Sequence, residues 1–336
     1  MKILVRATNW IGDAILSLPA LRAISAAFPG ASVDVLARPW VSDLYARETG
    51  IRRIVPLTGQ PGLRDLKFKW AQARALSAEG YDLAVLFPNS FESALLPRLA
   101  GIPRIVGYNR DARRFLLHQP IPRPRPCEIP VHERYYYLEL LRRAGIIAEL
   151  PEIPEIIFEG LATARENGWR LFAERGISGP VIGVSPGAAF GGAKRWLPER
   201  FAAAAQTIAK QRGATVAVFG AAAEHDVCAM VADLAHGINL AGTTTLRDYL
   251  DLTAACTLLL TNDSGAMHVA YASGVPSVTV FGPTRELNTG PVGPTAAIVR
   301  EPVECAPCML RECPIDHRCM TGVTVGRVVT LGLERC

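Results

Sequence analysis

The chain has 336 residues, 36 Lys+Arg against 31 Asp+Glu and a formal charge of +5, a length that points to two domains because one core rarely serves so many residues. Hydrophobic residues make up 49% and charged residues 20%, which excludes wholesale disorder. The charge is uneven: residues 1–160 carry 21 basic and 16 acidic side chains, whereas residues 161–336 carry 15 of each.

Lys2–Arg6 reads as a first strand and Ile11–Phe28 as a helix with Ile11, Ala14, Ile15, Leu18 and Leu21 on one face. Pro19 has no N–H for the carbonyl of residue 15, so a kink is expected there. Arg6 and Asp13 break the opening apolar run, which therefore lacks the core of a secretion signal, and a cytoplasmic chain is expected. The longest apolar candidate, around Leu252–Leu260, is broken by Thr253 and Thr257 and falls short of a membrane span. Further strands are expected at Val33–Ala37, Ile54–Leu57, Asp82–Phe87 and Arg104–Gly107, with helical patterns between them. Arg98–Arg125 holds seven arginines and one acid, Asp111, and reads either as a solvated loop or as a surface for an anionic partner. No nucleic-acid motif accompanies it.

Leu150-Pro-Glu-Ile-Pro-Glu-Ile156 interrupts the rhythm as a connector would. The alternation then restarts, with strands at Val181–Ser185, Thr215–Phe219, Leu258–Thr261 and Ser277–Phe281. Helices are expected at Pro198–Arg212, Ala222–His236, Thr245–Ala255 and Ser264–Ser273. The pattern is α/β: two doubly wound domains in tandem, with ligands expected outside the carboxyl ends of the strands and the site expected in the cleft between the domains.

The first strand-to-helix turn, Arg6-Ala-Thr-Asn-Trp-Ile-Gly-Asp13, has one glycine and not the G-x-G-x-x-G of a dinucleotide site. Asp13, in the first turn of its helix, is either a carboxylate serving the helix dipole or a base presented to substrate. The loop after Ser185 carries Gly187, Gly191 and Gly192 and then Lys194 and Arg195, so backbone N–H groups and two cations are available to an anion, although no G-K-[ST] ending is present. Thr261-Asn-Asp-Ser-Gly-Ala-Met-His268 is a strand end turning into a helix whose N-cap is Asp263 or Ser264; its free N–H groups around Ser264 and Gly265 suit an anion, with His268 one turn in. Glu224, after a glycine turn, has the carboxylate to hydrogen-bond paired ribose hydroxyls, but spacing alone says little because any βα unit can end this way. Cys305, Cys308, Cys313 and Cys319 have the spacing C-x2-C-x4-C-x5-C; reduced structural thiols are expected, with a zinc site as the other reading. No D-x-D pair is present, and no catalytic metal is expected.

Three stretches together, Asn9-Trp-Ile-Gly-Asp13 with Leu18-Pro-Ala-Leu21, Ser185-Pro-Gly-Ala…Ala193-Lys-Arg-Trp196, and Asn262-Asp-Ser-Gly-Ala-Met-His268…Phe281-Gly-Pro-Thr284, resemble the lipopolysaccharide heptosyltransferases of glycosyltransferase family nine. The cysteine segment and the Asn9-Trp10 wording resemble the heptosyltransferase II branch. The resemblance implies a GT-B fold: an acceptor domain over residues 1–160, an ADP-heptose domain over 161–322, and a last helix over 323–336 returning to the first domain. It implies inverting transfer of L-glycero-D-manno-heptose from ADP-heptose to a heptosylated Kdo-lipid A core, by a protein held peripherally at the cytoplasmic face of the inner membrane, without cofactor, metal or nucleic acid. Asp13 is then the base. Lys194, with Arg195, meets the diphosphate, Ser185 and Gly187 flank the donor, and Glu224 takes the ribose. Asp263 takes heptose hydroxyls, Ser264 and Gly265 offer N–H groups, and His268 lies beside them. Arg98, Arg104, Arg110, Arg113 and Arg114 are the expected acceptor surface. The alternatives are another heptosyltransferase branch, an epimerase of the same architecture, or a noncatalytic two-domain binding protein.

Overall fold

The apolar runs pair as two parallel sheets in the computed structural model, which describes residues 1–59, 65–291 and 293–336. The chain divides into two units, Met1–Ile153 and Pro154–Cys336, with the division inside the Pro- and Glu-rich stretch.

In the first unit the strands are β1 (Lys2–Arg6), β2 (Ser32–Ala37), β3 (Arg53–Pro56), β4 (Leu83–Leu86), β5 (Arg104–Tyr108) and β6 (Gln119–Ile121), in the order β3-β2-β1-β4-β5-β6. β1 is flanked on both sides in register, Val5 opposite Val35 on one side and Val85 on the other. Ile3, Leu4 and Val5 are wholly buried, as a strand covered on both faces requires. In the second unit β7 (Val181–Ser185), β8 (Thr215–Val218), β9 (Ile238–Asn239), β10 (Leu258–Asn262), β11 (Ser277–Phe281) and β12 (Ala296–Arg300) lie in the order β12-β11-β10-β7-β8-β9. Each unit therefore has the same winding, with the chain order reversing between β1 and β4 in one and between β7 and β10 in the other. Loops leaving neighbouring strands at such a reversal diverge to opposite faces and open a crevice for ligand.

The expected helix over residues 11–28 is two helices, Ile11–Leu16 and Leu18–Ala27. Ser17 makes the break, its hydroxyl donating to the Ala14 carbonyl at 2.7 Å, and Pro19 sits in the first turn of the second helix, where a missing N–H costs nothing. Three strands have no counterpart in the sequence reading. β6 contains Pro120, β9 has two residues, and β6, β9 and β12 are all edges, where one ladder and one covered face leave a weak pattern. The final helix, Val325–Leu333, was expected to return to the first domain. It lies on the helix Pro198–Arg212 of its own unit: Gly332 approaches Ile208, Val328 is buried, and the Arg212 guanidinium donates to the Leu333 carbonyl at 2.6 Å. No helix among the described residues is long and apolar enough to cross a membrane.

Candidate functional site

Ser185 ends β7 and pairs in register with Thr261 of β10, so the segments that follow these strands start side by side. Thr261 Oγ1 donates to the Ser185 carbonyl at 3.3 Å. Asn262 extends the tie, its amide nitrogen donating to the Pro186 carbonyl at 2.7 Å and its oxygen accepting from the Trp196 N–H at 2.9 Å. The loop from Pro186 to Trp196 is thus held at both ends by one buried side chain. Gly187 lies against Glu224: a Cβ there would stand 2.0 Å from its carboxylate, so a larger residue would displace the acid. Glu224 Oε2 in turn accepts from the Ala221 N–H at 3.0 Å.

This frame presents Lys194, whose Nζ lies 2.6 Å from Asp263 Oδ2 and 4.7 Å from the centre of the Phe190 ring. Thr284, after β11, donates to the same Oδ2 at 2.5 Å. Ser264 is the N-cap of the helix Gly265–Ala272, its hydroxyl accepting from the Ala266 N–H at 3.3 Å, which settles the choice between Asp263 and Ser264. His268 is buried one turn further on. The expected donor residues Ser185, Gly187, Lys194, Glu224, Asp263, Ser264, Gly265 and His268 all belong to the segments leaving β7, β8 and β10. Arg195 is exposed, and its guanidinium donates to the Ala188 carbonyl at 3.3 Å. Thr284, at the end of the Phe281-Gly-Pro-Thr284 stretch, takes its role from this bond to Asp263.

In the first unit Asp13 sits half-buried in the first turn of Ile11–Leu16, and burial pushes its carboxyl above the usual range. Glu133, at the N-cap of the helix Arg134–Arg143, is pushed up as well, by burial first and by Asp13 second. The Tyr137 phenol is driven far up by burial, then by the charges of Asp13 and Glu133. Asp13 is therefore within electrostatic reach of an acid and a phenol that lie more than a hundred positions along the chain, neither of which local sequence indicates. At the end of β1, Arg6 is buried and its guanidinium is lowered to about 10 by burial and by Arg38; it lines a pocket with Asn9, Leu36, Thr58, Lys69 and Glu92.

The arginine-rich segment divides into two kinds. Arg98, Arg110 and Arg114 are exposed, Arg110 beside Asp111 at 3.3 Å. Arg113 is wholly buried, contrary to an acceptor role: its guanidinium donates to the carbonyls of Tyr108 at 3.0 Å, Pro88 at 2.5 Å and Ser90 at 3.2 Å and to Ser93 Oγ at 2.6 Å. Burial lowers it to about 10. Arg104 is half-buried and ties β5 to its surroundings through Gln119 Oε1 at 2.9 Å and the Ala144 carbonyl at 3.2 Å. Both are spent on the fold.

Cys305, Cys308, Cys313 and Cys319 are free thiols, the first two exposed and Cys319 buried. Burial and then the neighbouring Cys305, Cys313 and Cys308 push the Cys319 thiol up, so the four lie in one neighbourhood. Among the described residues no three or more His, Cys, Asp or Glu are arranged to hold a metal ion.

Residues 69–318 match Glycosyltransferase family 9 (heptosyltransferase). The chain is 33% identical over 313 residues to lipopolysaccharide heptosyltransferase 2 of Escherichia coli, covering 89% of this chain and 88% of that protein. It is 32% identical over 315 residues to lipooligosaccharide heptosyltransferase 2 of Haemophilus influenzae, again 89% of this chain and 88% of the relative. The solved structure of E. coli ADP-heptose lps heptosyltransferase II superposes with a TM-score of 0.82 at 29% identity, over 99% of both chains.

Proposed function

Since the chain belongs to glycosyltransferase family 9, we infer that it is a heptosyltransferase of lipopolysaccharide core synthesis, moving heptose from ADP-heptose to the growing inner core. The observation that carries the assignment to residues is the Lys194–Asp263–Thr284 cluster where β7 and β10 reverse the chain order. Family membership removes the noncatalytic binding protein from consideration, and relatives of the heptosyltransferase 2 kind favour that branch over an epimerase or another heptosyltransferase.

The second unit is read as the donor half. Lys194 meets the diphosphate of ADP-heptose, and the N–H groups after Ser264 add to it, so the negative charge that grows on ADP as the anomeric C–O bond breaks is met by a cation and a helix N-terminus. Asp263 accepts from heptose hydroxyls through the oxygen that Lys194 and Thr284 leave open, and Glu224, beside Gly187, accepts from the ribose. The first unit is read as the acceptor half. Asp13 takes the proton from the acceptor hydroxyl as that oxygen bonds to the anomeric carbon, on the side opposite the departing ADP, and the configuration inverts. Its raised proton affinity brings it nearer to what a base working around neutral pH needs. No metal and no cofactor enter this reading. Exposed Arg98, Arg110 and Arg114 would face an anionic acceptor, a heptosylated Kdo-lipid A, and the anionic inner surface of the membrane that displays it.

Incubation with ADP-heptose and a mono-heptosylated acceptor tests the reading. One ADP released per acceptor that gains the mass of one heptose is the expected result. Absence of both products, with ADP-heptose bound, would overturn it.

A further inference from the structure

Between β12 and the helix Arg318–Thr321 the chain carries cysteines but no regular structure, and the transfer reaction as read above makes no use of it. It nonetheless reaches the loop that carries Lys194 and the segment after β11 that carries Thr284. The Ala193 N–H donates to the Arg311 carbonyl at 2.9 Å, and the Gly192 N–H donates to Glu312 Oε1 at 2.9 Å. His317 Nε2 lies 2.7 Å from the Ala193 carbonyl, an acceptor, so this ring nitrogen carries the proton. Two residues before Arg311, the Met309 N–H donates to the Pro283 carbonyl at 2.8 Å.

Chain neighbours give these bonds their meaning. Lys194 follows Ala193, and Thr284, which donates to Asp263, follows Pro283. One short run thus holds the residue before the cation and the residue before the hydroxyl that orients its partner. The glycines of the loop fit the same contact. Gly191 has φ +154°, and a Cβ there would stand 2.3 Å from the Arg311 carbonyl oxygen; a Cβ at Gly192 would stand 2.5 Å from Glu312 Oε2. A loop so rich in glycine has many conformations of its own, and the flexible lysine it carries reaches a defined position only when the loop is held from outside.

We propose that residues 309–317 clamp the donor site, with Glu312 and His317 as positioning residues for Lys194 and the Met309–Pro283 bond setting Thr284 against Asp263. The proposal rests on the reading of Lys194 as the donor-diphosphate group. It accounts for this stretch in terms of the reaction: the stretch fixes the groups that meet substrate.

Glu312→Ala and His317→Ala test it, singly and together, by calorimetric titration with ADP and by steady-state transfer. ADP affinity should fall and the KM for ADP-heptose rise about three- to tenfold in each, as for one lost hydrogen bond. The acceptor KM should not move. Glu312→Gln should restore most of the loss, because an amide oxygen still accepts from the Gly192 N–H. If the double variant binds ADP like wild type, the clamp is wrong. It is equally wrong if the double variant melts early with both KM values unchanged, since that pattern marks a structural role only. Lys194→Ala, run beside them, separates the two ideas: if it weakens ADP binding and the clamp variants do not, the site stands and the clamp falls. If Lys194→Ala leaves ADP binding unchanged, both fall.

Discussion

Lys194 Nζ approaches Asp263 Oδ2 at 2.6 Å, joining the loop after β7 to the turn after β10. Both side chains are largely buried, so the pair is little screened by solvent. Asp263 spends one oxygen on Lys194 and Thr284 together and keeps the other for a ligand. The cation and the carboxylate therefore reach the donor already neutralised against each other, and the lysine can turn toward phosphate without leaving water.

Removing the lysine should be costly twice over, because the diphosphate loses its cation and Asp263 is left buried and charged. Lys194→Ala is expected to weaken ADP binding about 10- to 100-fold and to slow transfer with it. Lys194→Arg should not rescue fully, since a planar fork cannot take the place of a compact ammonium against one carboxylate oxygen and the Phe190 ring. Titration with ADP gives the first number, and steady-state kinetics the second.

Thr284 should behave differently. Its hydroxyl orients Asp263, and Asp263 is read as holding the sugar and not the nucleotide. Thr284→Val is expected to lower kcat/KM for ADP-heptose about tenfold, the worth of one charge-assisted hydrogen bond, while ADP alone binds nearly as well as to wild type. Thr284→Ser should recover the activity. A fall in ADP affinity equal to the fall in kcat/KM would move Asp263 from the sugar to the diphosphate.

The strands and helices around this site were largely legible because their residues say the same thing at each level. Val181–Ser185 and Ser277–Phe281 are short runs of Val, Ile and Phe interleaved with small residues, buried at every position as a doubly covered strand is, and Pro198 opens a helix at the position where proline is tolerated. What escaped was long-range. The Thr284–Asp263 bond spans 21 positions and depends on β10 and β11 lying side by side. Glu133 and Tyr137 come to Asp13 from the far end of the unit. Arg113 looked like its exposed neighbours because composition cannot tell which arginine of a run turns inward to meet orphan carbonyls.

That distinction between arginines can be measured. Arg113→Ala leaves the Tyr108, Pro88 and Ser90 carbonyls without their buried donor, and should cost about 3 kcal/mol in denaturant unfolding. Arg98→Glu, Arg110→Glu and Arg114→Glu change exposed positions and should leave stability within about 0.5 kcal/mol of wild type. The acceptor KM should rise in these three, with ADP binding unaltered. Equal destabilisation across all four would mean that the exposed arginines also serve the fold.

Asp13 joins activity and stability with opposite signs. Burial raises its proton affinity in the folded state, so the folded chain holds that proton more tightly than the unfolded chain does. The stability that the protonated form provides is fully present below the ordinary carboxylate pKa, about pH 4, and is lost as pH rises through the raised folded value. At neutral pH the ionised carboxylate is therefore a burden on the fold, and Glu133, raised for the same reasons, adds to it. Asp13→Asn should melt higher than wild type at pH 7, with the gap closing as pH falls through the raised folded value and gone below about pH 4. Heptose transfer in the same variant should fall by at least about a hundredfold, the ordinary worth of a general base, with ADP-heptose still bound. In the wild type the acid limb of kcat/KM should lie above the usual carboxylate range, for the same reason that the variant gains stability. Transfer near the wild-type rate in Asp13→Asn would remove it as the base, and a lower melting temperature at pH 7 would show that its ionised form is stabilised in the fold by contacts stronger than its desolvation.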